Sequence, residues 1–187
     1  MRLIGKFCVA LAATAVLYGC ASAPNQHARI PFPVEEYASY KATGNSTVSG
    51  DAVIERYNEV VTKPRNPVHR FFLLPATSYS QQAVDITFKP CYRLAPPDPR
   101  QEQYVRRLPP ISNGTFEAKF EFKNVPAGEY YAVDQLLYEV SGSSPDGIGH
   151  RVRYQKITVT EHQNLTNVQI RPPVDTRHGG QSCRTFG

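Results

Sequence analysis

Residues Asn113–Tyr130 read NGTFEAKFEFKNVPAGEY, and their pattern decides the fold. Within Thr115–Lys123 (TFEAKFEFK) apolar and charged residues alternate, so Phe116, Ala118, Phe120 and Phe122 share one face while the charges share the other. Period-two alternation marks a strand with one face on a core and one in water. Pro126 and Gly128 then end the run. Proline fixes φ and removes a donor, and glycine takes backbone angles closed to other residues, so the two together make a tight corner. Tyr130 opens the next strand pointing back towards the core.

Working outward, the same strand-and-turn rhythm recurs. Ser46–Ile54 (STVSGDAVI) is rich in β-branched residues, and Val68–Pro75 (VHRFFLLP) is a compact apolar run suited to a central strand. Val84–Phe88 is short, with Val84, Ile86 and Phe88 on one face. Gly128–Val140 and His150–Thr160 read as long strands separated by SGSSPDGIG, and Asn164–Ile170 completes the set. Seven such strands predict an all-β fold, a seven-stranded antiparallel β-sandwich. Two segments break the rhythm. Arg93–Pro110 (RLAPPDPRQEQYVRRLPP) is rich in proline, which excludes it from a sheet interior, and its middle, Pro99–Leu108, suits a short helix. The tail from Arg171 is irregular. There is no internal repeat.

The run Asn113-Gly114-Thr115-Phe116, followed by Phe120-Glu121-Phe122-Lys123-Asn124-Val125-Pro126-Ala127-Gly128-Glu129-Tyr130, resembles the carboxypeptidase regulatory-like signature. That signature is approximately G-x-F-x-F-x-N-[VL]-P-x-G-x-Y. Val48–Ala52 resembles the family's opening strand, Phe72–Tyr79 its second and Ile157–Ile170 its closing pair. The likeness spans about Thr43–Pro172. It implies a transthyretin-like or Ig-like sandwich over 43–172, with 93–110 as a Pro/Arg-rich insertion and 173–187 as a C-terminal tail. The sequence departs from the pattern at that insertion and at Ser112-Asn113, where an Asp often precedes the Gly. The family carries no catalytic residues of its own, so the resemblance implies a structural or binding module, with no enzyme activity and no cofactor.

The N-terminus reads MRLIGKFCVALAATAVLYGC. Arg2 and Lys6 precede Phe7–Tyr18, apolar apart from Thr14. That run is shorter than the roughly 20 residues a membrane-spanning helix needs, but it suits an export signal. Leu17-Tyr18-Gly19-Cys20 resembles the bacterial lipobox. The resemblance implies a signal peptide over 1–19, cleavage before Cys20, acyl chains such as palmitate on Cys20, and a lipidated tether over 20–42. Several acyl chains anchor stably where one binds only marginally. No Asp follows Cys20, which points to an outer-membrane lipoprotein facing the periplasm. Cys8 leaves with the signal, so Cys91 and Cys183 remain. An oxidising periplasm favours a disulfide between them over two thiols. Closing so long a loop stabilises by roughly 3–5 kcal/mol in the chain-entropy account.

Composition bounds the function. The chain has 187 residues, 21 Lys+Arg against 16 Asp+Glu, and is 41% hydrophobic. That suffices for one domain with extensions and excludes a wholly disordered chain. The net +5 is too small and scattered for nucleic acid, and export would remove the charges of Arg2 and Lys6. His27, His69, His150, His162 and His178 lack metal-ligand spacing, and no nucleophile motif accompanies them, so neither metal ligands nor catalytic residues are expected. The sharpest surface expectation is Tyr92, Arg93, Arg100, Tyr104, Arg106 and Arg107. On a Pro-stiffened loop these could meet an acidic partner or an anionic glycan, since Arg and Tyr favour interface anchors; the opposing reading is a solvated loop. Two functions follow. The first is a structural or adaptor component of a cell-envelope assembly, a secretion machine included. The alternative is a binding module for polysaccharide or peptidoglycan, with Tyr130, Tyr131, Tyr138 and Tyr154 as candidates for an aromatic row, although alternation sends some of them into the core.

Overall fold

The computed structural model describes residues 26–40, 42–52, 65–87, 93–115, 117–139 and 148–171. The export signal, Cys20, Tyr92 and the candidate Cys91–Cys183 pair lie outside the described residues. In chain order the elements are β1 (Gln26–His27), α1 (Val34–Tyr37), β2 (Ser46–Ala52), β3 (Arg65–Pro75), α2 (Ser78–Thr87) and β4 (Arg93–Leu94). A 3-10 helix (Pro99–Tyr104) follows, then β5 (Arg106–Arg107), β6 (Ala118–Val125), β7 (Gly128–Glu139), β8 (Ile148–Val159) and β9 (Asn164–Ile170). The strands form a three-stranded sheet, β6-β2-β9, and a four-stranded sheet, β5-β3-β7-β8, with β1-β4 as a separate pair. The all-β, two-sheet expectation holds.

The core grows from the alternating stretch. Ala118, Phe120 and Phe122 are buried, while Lys119, Glu121 and Lys123 between them are exposed. Phe120 meets Phe71 of the facing sheet with ring centroids 5.0 Å apart. Leu73, Tyr130, Ala132, Ile157 and Val159 extend that face, and Val48, Ala52, Val168 and Ile170 complete the opposite one. The corner Asn124–Gly128 carries the chain from one sheet to the other. Asn124 takes φ 55° and Gly128 φ 153°, and the Tyr130 hydroxyl donates back to the Pro126 carbonyl at 3.1 Å. Asn and Gly are the residues that tolerate such angles.

Three expectations need correction. The sandwich is not wholly antiparallel, because β9 runs parallel to β2, from Thr47↔Asn164 to Ala52↔Ile170. The first and last strands of the domain lie side by side with the whole domain as their connection, so no hairpin forces them to oppose. At their closest approach a Cβ on Gly50 would overlap the Val168 carbonyl, so glycine is required there. Second, Val84–Phe88 is not a strand in its described part: α2 runs to Thr87. Thr77 caps it by accepting from the Ser80 N–H at 3.2 Å, and Val84 packs with Tyr131 and Val133 on the outer face of the four-stranded sheet. An isolated apolar V-x-I-x-F pattern fits either element. Third, the short helix expected over Pro99–Leu108 ends at Tyr104, and the insertion then supplies an edge strand while staying out of the sheet interior as expected. Arg106 and Arg107 pair with Leu73 and Phe72 at the β3 edge, where proline on either side is tolerated. The seventh strand of the two sheets is thus β5 and not Val84–Phe88.

On the inner face of the four-stranded sheet, beyond Ala132, sits a charged group. Asp134 is fully buried, 3.1 Å from the His69 Nδ1 and in contact with the Arg153 guanidinium. The other ring nitrogen of His69 lies 3.1 Å from the Thr115 carbonyl. Breaking a buried pair by removing one partner costs about 3–5 kcal/mol, because the other charge stays in the interior. Asp134→Ala should therefore lower the urea-unfolding free energy by that amount, whereas Glu121→Ala on the exposed face should change it by less than about 0.5 kcal/mol. Equal effects of the two substitutions would refute the assignment.

Candidate functional site

The segment Gln26–Tyr40, expected within a free tether, docks on the domain as a strap. β1 pairs in parallel with β4, and the Arg29 Nε donates to the Ala95 carbonyl at 2.5 Å. The Gln82 side chain of α2 donates to the Ala28 carbonyl and accepts from the Ile30 N–H, both at 3.1 Å. Glu36 reaches the start of α2: its carboxylate accepts from the Ser78 N–H and from the Ser78 hydroxyl, both at 2.6 Å. Those bonds favour the ionised form and hold the Glu36 carboxyl below the usual range.

Tyr37 is the junction. It is 0% exposed, stacks on Phe32 at 4.5 Å and meets the Tyr104 ring at 4.8 Å. Its hydroxyl receives the Thr77 hydroxyl at 3.0 Å and the Gln101 amide at 3.3 Å, and lies 3.2 Å from the Ser80 hydroxyl. One side chain thereby joins the strap, α2 and the 3-10 helix. Asp98 caps that 3-10 helix, accepting from the Arg100 N–H at 2.9 Å, while its own N–H donates to the Tyr79 hydroxyl at 2.7 Å. The Arg100 guanidinium grips the Asp98 carboxylate with two bonds and lies 4.8 Å over the Phe32 ring. Those bonds from Arg100 bring the Asp98 carboxyl down to about 2.

Where the strap ends, it meets the insertion across a cleft of about 280 Å³, lined by Tyr40, Ala42, Tyr104, Arg106, Arg107 and Tyr130. The Tyr40 hydroxyl donates to the Glu129 carbonyl at 2.7 Å, and its ring meets Tyr130 edge-on at 5.4 Å. A Cβ on Gly128 would come 2.9 Å from the Tyr40 ring, so the corner glycine also makes room for the strap. Burial raises the Tyr40 hydroxyl pKa and pushes Tyr130 up to about 12, Arg106 pulling the latter back only in part. Arg107 forms a two-bond pair with Glu102 and lies 5.0 Å over the Phe72 ring, and that pairing holds the Glu102 carboxyl down. Arg106 differs. It is half-buried, donates to the Ala42 carbonyl at 2.5 Å, and pairs with no carboxylate among the described residues.

Of the six surface candidates, the structure brings Tyr104, Arg106 and Arg107 together at this cleft. Arg100 is committed to Asp98 and Phe32, Arg93 lies in β4, and Tyr92 is outside the described residues. The aromatic row does not form. Tyr130 and Tyr131 are buried on opposite faces of β7, in different clusters; Tyr154 meets Tyr131 edge-on at 5.7 Å, and the Tyr131 hydroxyl donates to Gln81 of α2. The sequence leaves open whether Tyr37 and Tyr40 dock on the domain, and it does not single out Tyr40 or Ala42 as site residues; the aromatic spacing Phe32, Tyr37, Tyr40 in a polar stretch was the available signal. A second, more open groove of about 480 Å³ runs between β8 and β9, lined by Gln155, Thr158, Asn167 and Gln169 among others. His69 is enclosed with Asp134. Among the described residues no group of three or more His, Cys, Asp or Glu is placed to hold a metal ion.

The Glu36 cap gives the strap a pH dependence. A carboxyl whose folded pKa is depressed contributes stability that is present above its unfolded value, about 4.3, and lost as pH falls through the folded value. Limited proteolysis should therefore cut within 26–40 more readily as the solution is acidified below that range. Glu36→Gln should flatten this acid response of the strap; an unaltered profile would show that Glu36 is not the group responsible.

No protein-family model matches the chain, and no curated protein matches it. A solved structure does. The crystal structure of a protein from Pseudomonas aeruginosa, provisionally described as carbohydrate-binding, is 25% identical with a TM-score of 0.56, and the match covers 76% of this chain and 99% of that one.

Proposed function

We propose that this protein is a saccharide-binding module and that the cleft between strap and insertion is its binding site. The observation that carries the reading is the cleft itself: Tyr40, Tyr104 and Tyr130 line it together with Arg106 and Arg107, between the strap and the β5 edge. Ligand sites are concave, mostly pre-formed, and combine apolar surface with a few placed polar groups. A pyranose ring has this mixed character, with C–H faces that pack on aromatic rings and hydroxyls at its rim. The likeness to the Pseudomonas aeruginosa protein, which extends over nearly all of that chain, supports the same reading. It favours the binding module over an adaptor role.

A printed array of neutral and acidic oligosaccharides and peptidoglycan fragments tests the reading. At least one family of glycans should bind, and Tyr104→Ala should weaken it about tenfold or more, as truncating an aromatic anchor does, with the thermal melt reporting whether the fold survives. A blank array, with a stoichiometric protein complex recovered from crosslinked envelopes, would establish the adaptor role instead. We further propose that acyl chains on Cys20 hold the module at the outer membrane. Cys20→Ala should release it into the soluble envelope fraction, and unchanged membrane fractionation would refute the anchor.

A further inference from the structure

We infer that the cleft selects an acidic sugar, a uronic acid, and that Arg106 is the group that reads its carboxylate. This rests on the saccharide-binding reading above. The charges around the cleft separate into paired and unpaired. Arg107 is paired with Glu102, Arg100 with Asp98 and Lys156 with Glu129. Arg106 lines the cleft half-buried and has no carboxylate partner among the described residues. A guanidinium carries five N–H donors in a rigid fork, and the bonds among the described residues use one of them, to the Ala42 carbonyl. That bond fixes the side chain and leaves the rest of the fork unspent. The neighbouring phenols do not neutralise it, since a phenol is uncharged at neutral pH and burial raises Tyr130 and Tyr40 further.

A partly desolvated cation without a counter-charge is costly, and the arrangement that satisfies it is a carboxylate accepting two parallel N–H bonds. A neutral sugar offers only hydroxyls and leaves the charge unmatched. An acidic peptide offers carboxylates but not the flat C–H face that suits the Tyr40 and Tyr104 rings. At about 280 Å³ the cleft lies just below the usual range of ligand sites, about 300 to 1,000 Å³. It therefore seats one sugar residue of a longer chain.

Calorimetry on the folded protein, with trimers of galacturonate, glucuronate, mannuronate and guluronate each beside its neutral methyl ester, separates the possibilities. The esters keep the ring and lose the charge. Wild type should bind at least one acid about tenfold or more tighter than its ester, with the difference shrinking as salt is raised. Arg106→Gln should abolish the preference, so that the variant binds acid and ester alike, and Arg106→Lys, which keeps the charge but loses the fork, should retain part of it. Equal affinity of acid and ester for wild type overturns the inference whatever the variants do. An acid preference that survives Arg106→Gln overturns it too. In both cases the saccharide reading stands. Binding of poly-glutamate, but of no trimer and nothing on the glycan array, defeats both.

Discussion

Gly128 stands where the chain passes from one sheet to the other, and the space above it is where Tyr40 closes. Its φ of 153° is open to glycine and strained for other residues, and its missing side chain admits the Tyr40 ring. The first property gives the corner that lets β6 and β7 bury their apolar faces against each other. The second gives the strap its seat. Two residues on, Tyr130 continues both roles: its ring enters the core, its hydroxyl closes the corner on Pro126, and its edge lines the cleft. The fold and the candidate site therefore share one short segment. A side chain at position 128 would both strain the corner and lift the strap away from the cleft.

The cleft's walls are held by contacts far apart in sequence. The insertion is rich in proline, so its unfolded chain has fewer conformations to lose, but proline alone would not place it. Asp98 caps the 3-10 helix locally, and Tyr37, Tyr79 and Phe32 attach that helix to the strap and to α2. Three of the insertion's arginines are spent in different ways: Arg100 on Asp98, Arg107 on Glu102 and Arg106 on a backbone carbonyl. The insertion's arginines first build it, and Arg106, which has no carboxylate partner among the described residues, faces the cleft.

What could be read from sequence follows from how local each signal is. TFEAKFEFK carries its own period, and the corner after it its own turn residues, so the strand, the corner and the inward Tyr130 were legible. Direction was not, because alternation looks the same in parallel and antiparallel strands, and β9 beside β2 depends on the whole chain between them. The α2 helix was hidden because Ser78–Gln82 shows no apolar stripe and one of its caps is Glu36, more than forty residues earlier. β5 is two residues long, and its evidence is the register with Phe72 and Leu73. The candidate site was half legible. Tyr104, Arg106 and Arg107 stand out in composition, whereas Tyr40 and Ala42 belong to it only because the strap docks.

Two arginines show how the same fold treats charge differently in its core and in its cleft. Arg153 is almost fully enclosed and meets Asp134, which also holds His69, so the charge is matched inside the protein. Its placement fixes how β3, β7 and β8 align, since each contributes one member, and a shift of register by one residue would send every member to the outer face. Arg106 lies on the short β5 at the sheet's edge, where among the described residues no further strand follows to supply an acid. An edge is the place in a sheet where a polar group can be left for a ligand, because pairing ends there while the neighbouring strand still fixes the backbone. The core trio thus specifies the register of the sheet, and that register in turn aims Arg106 into the cleft.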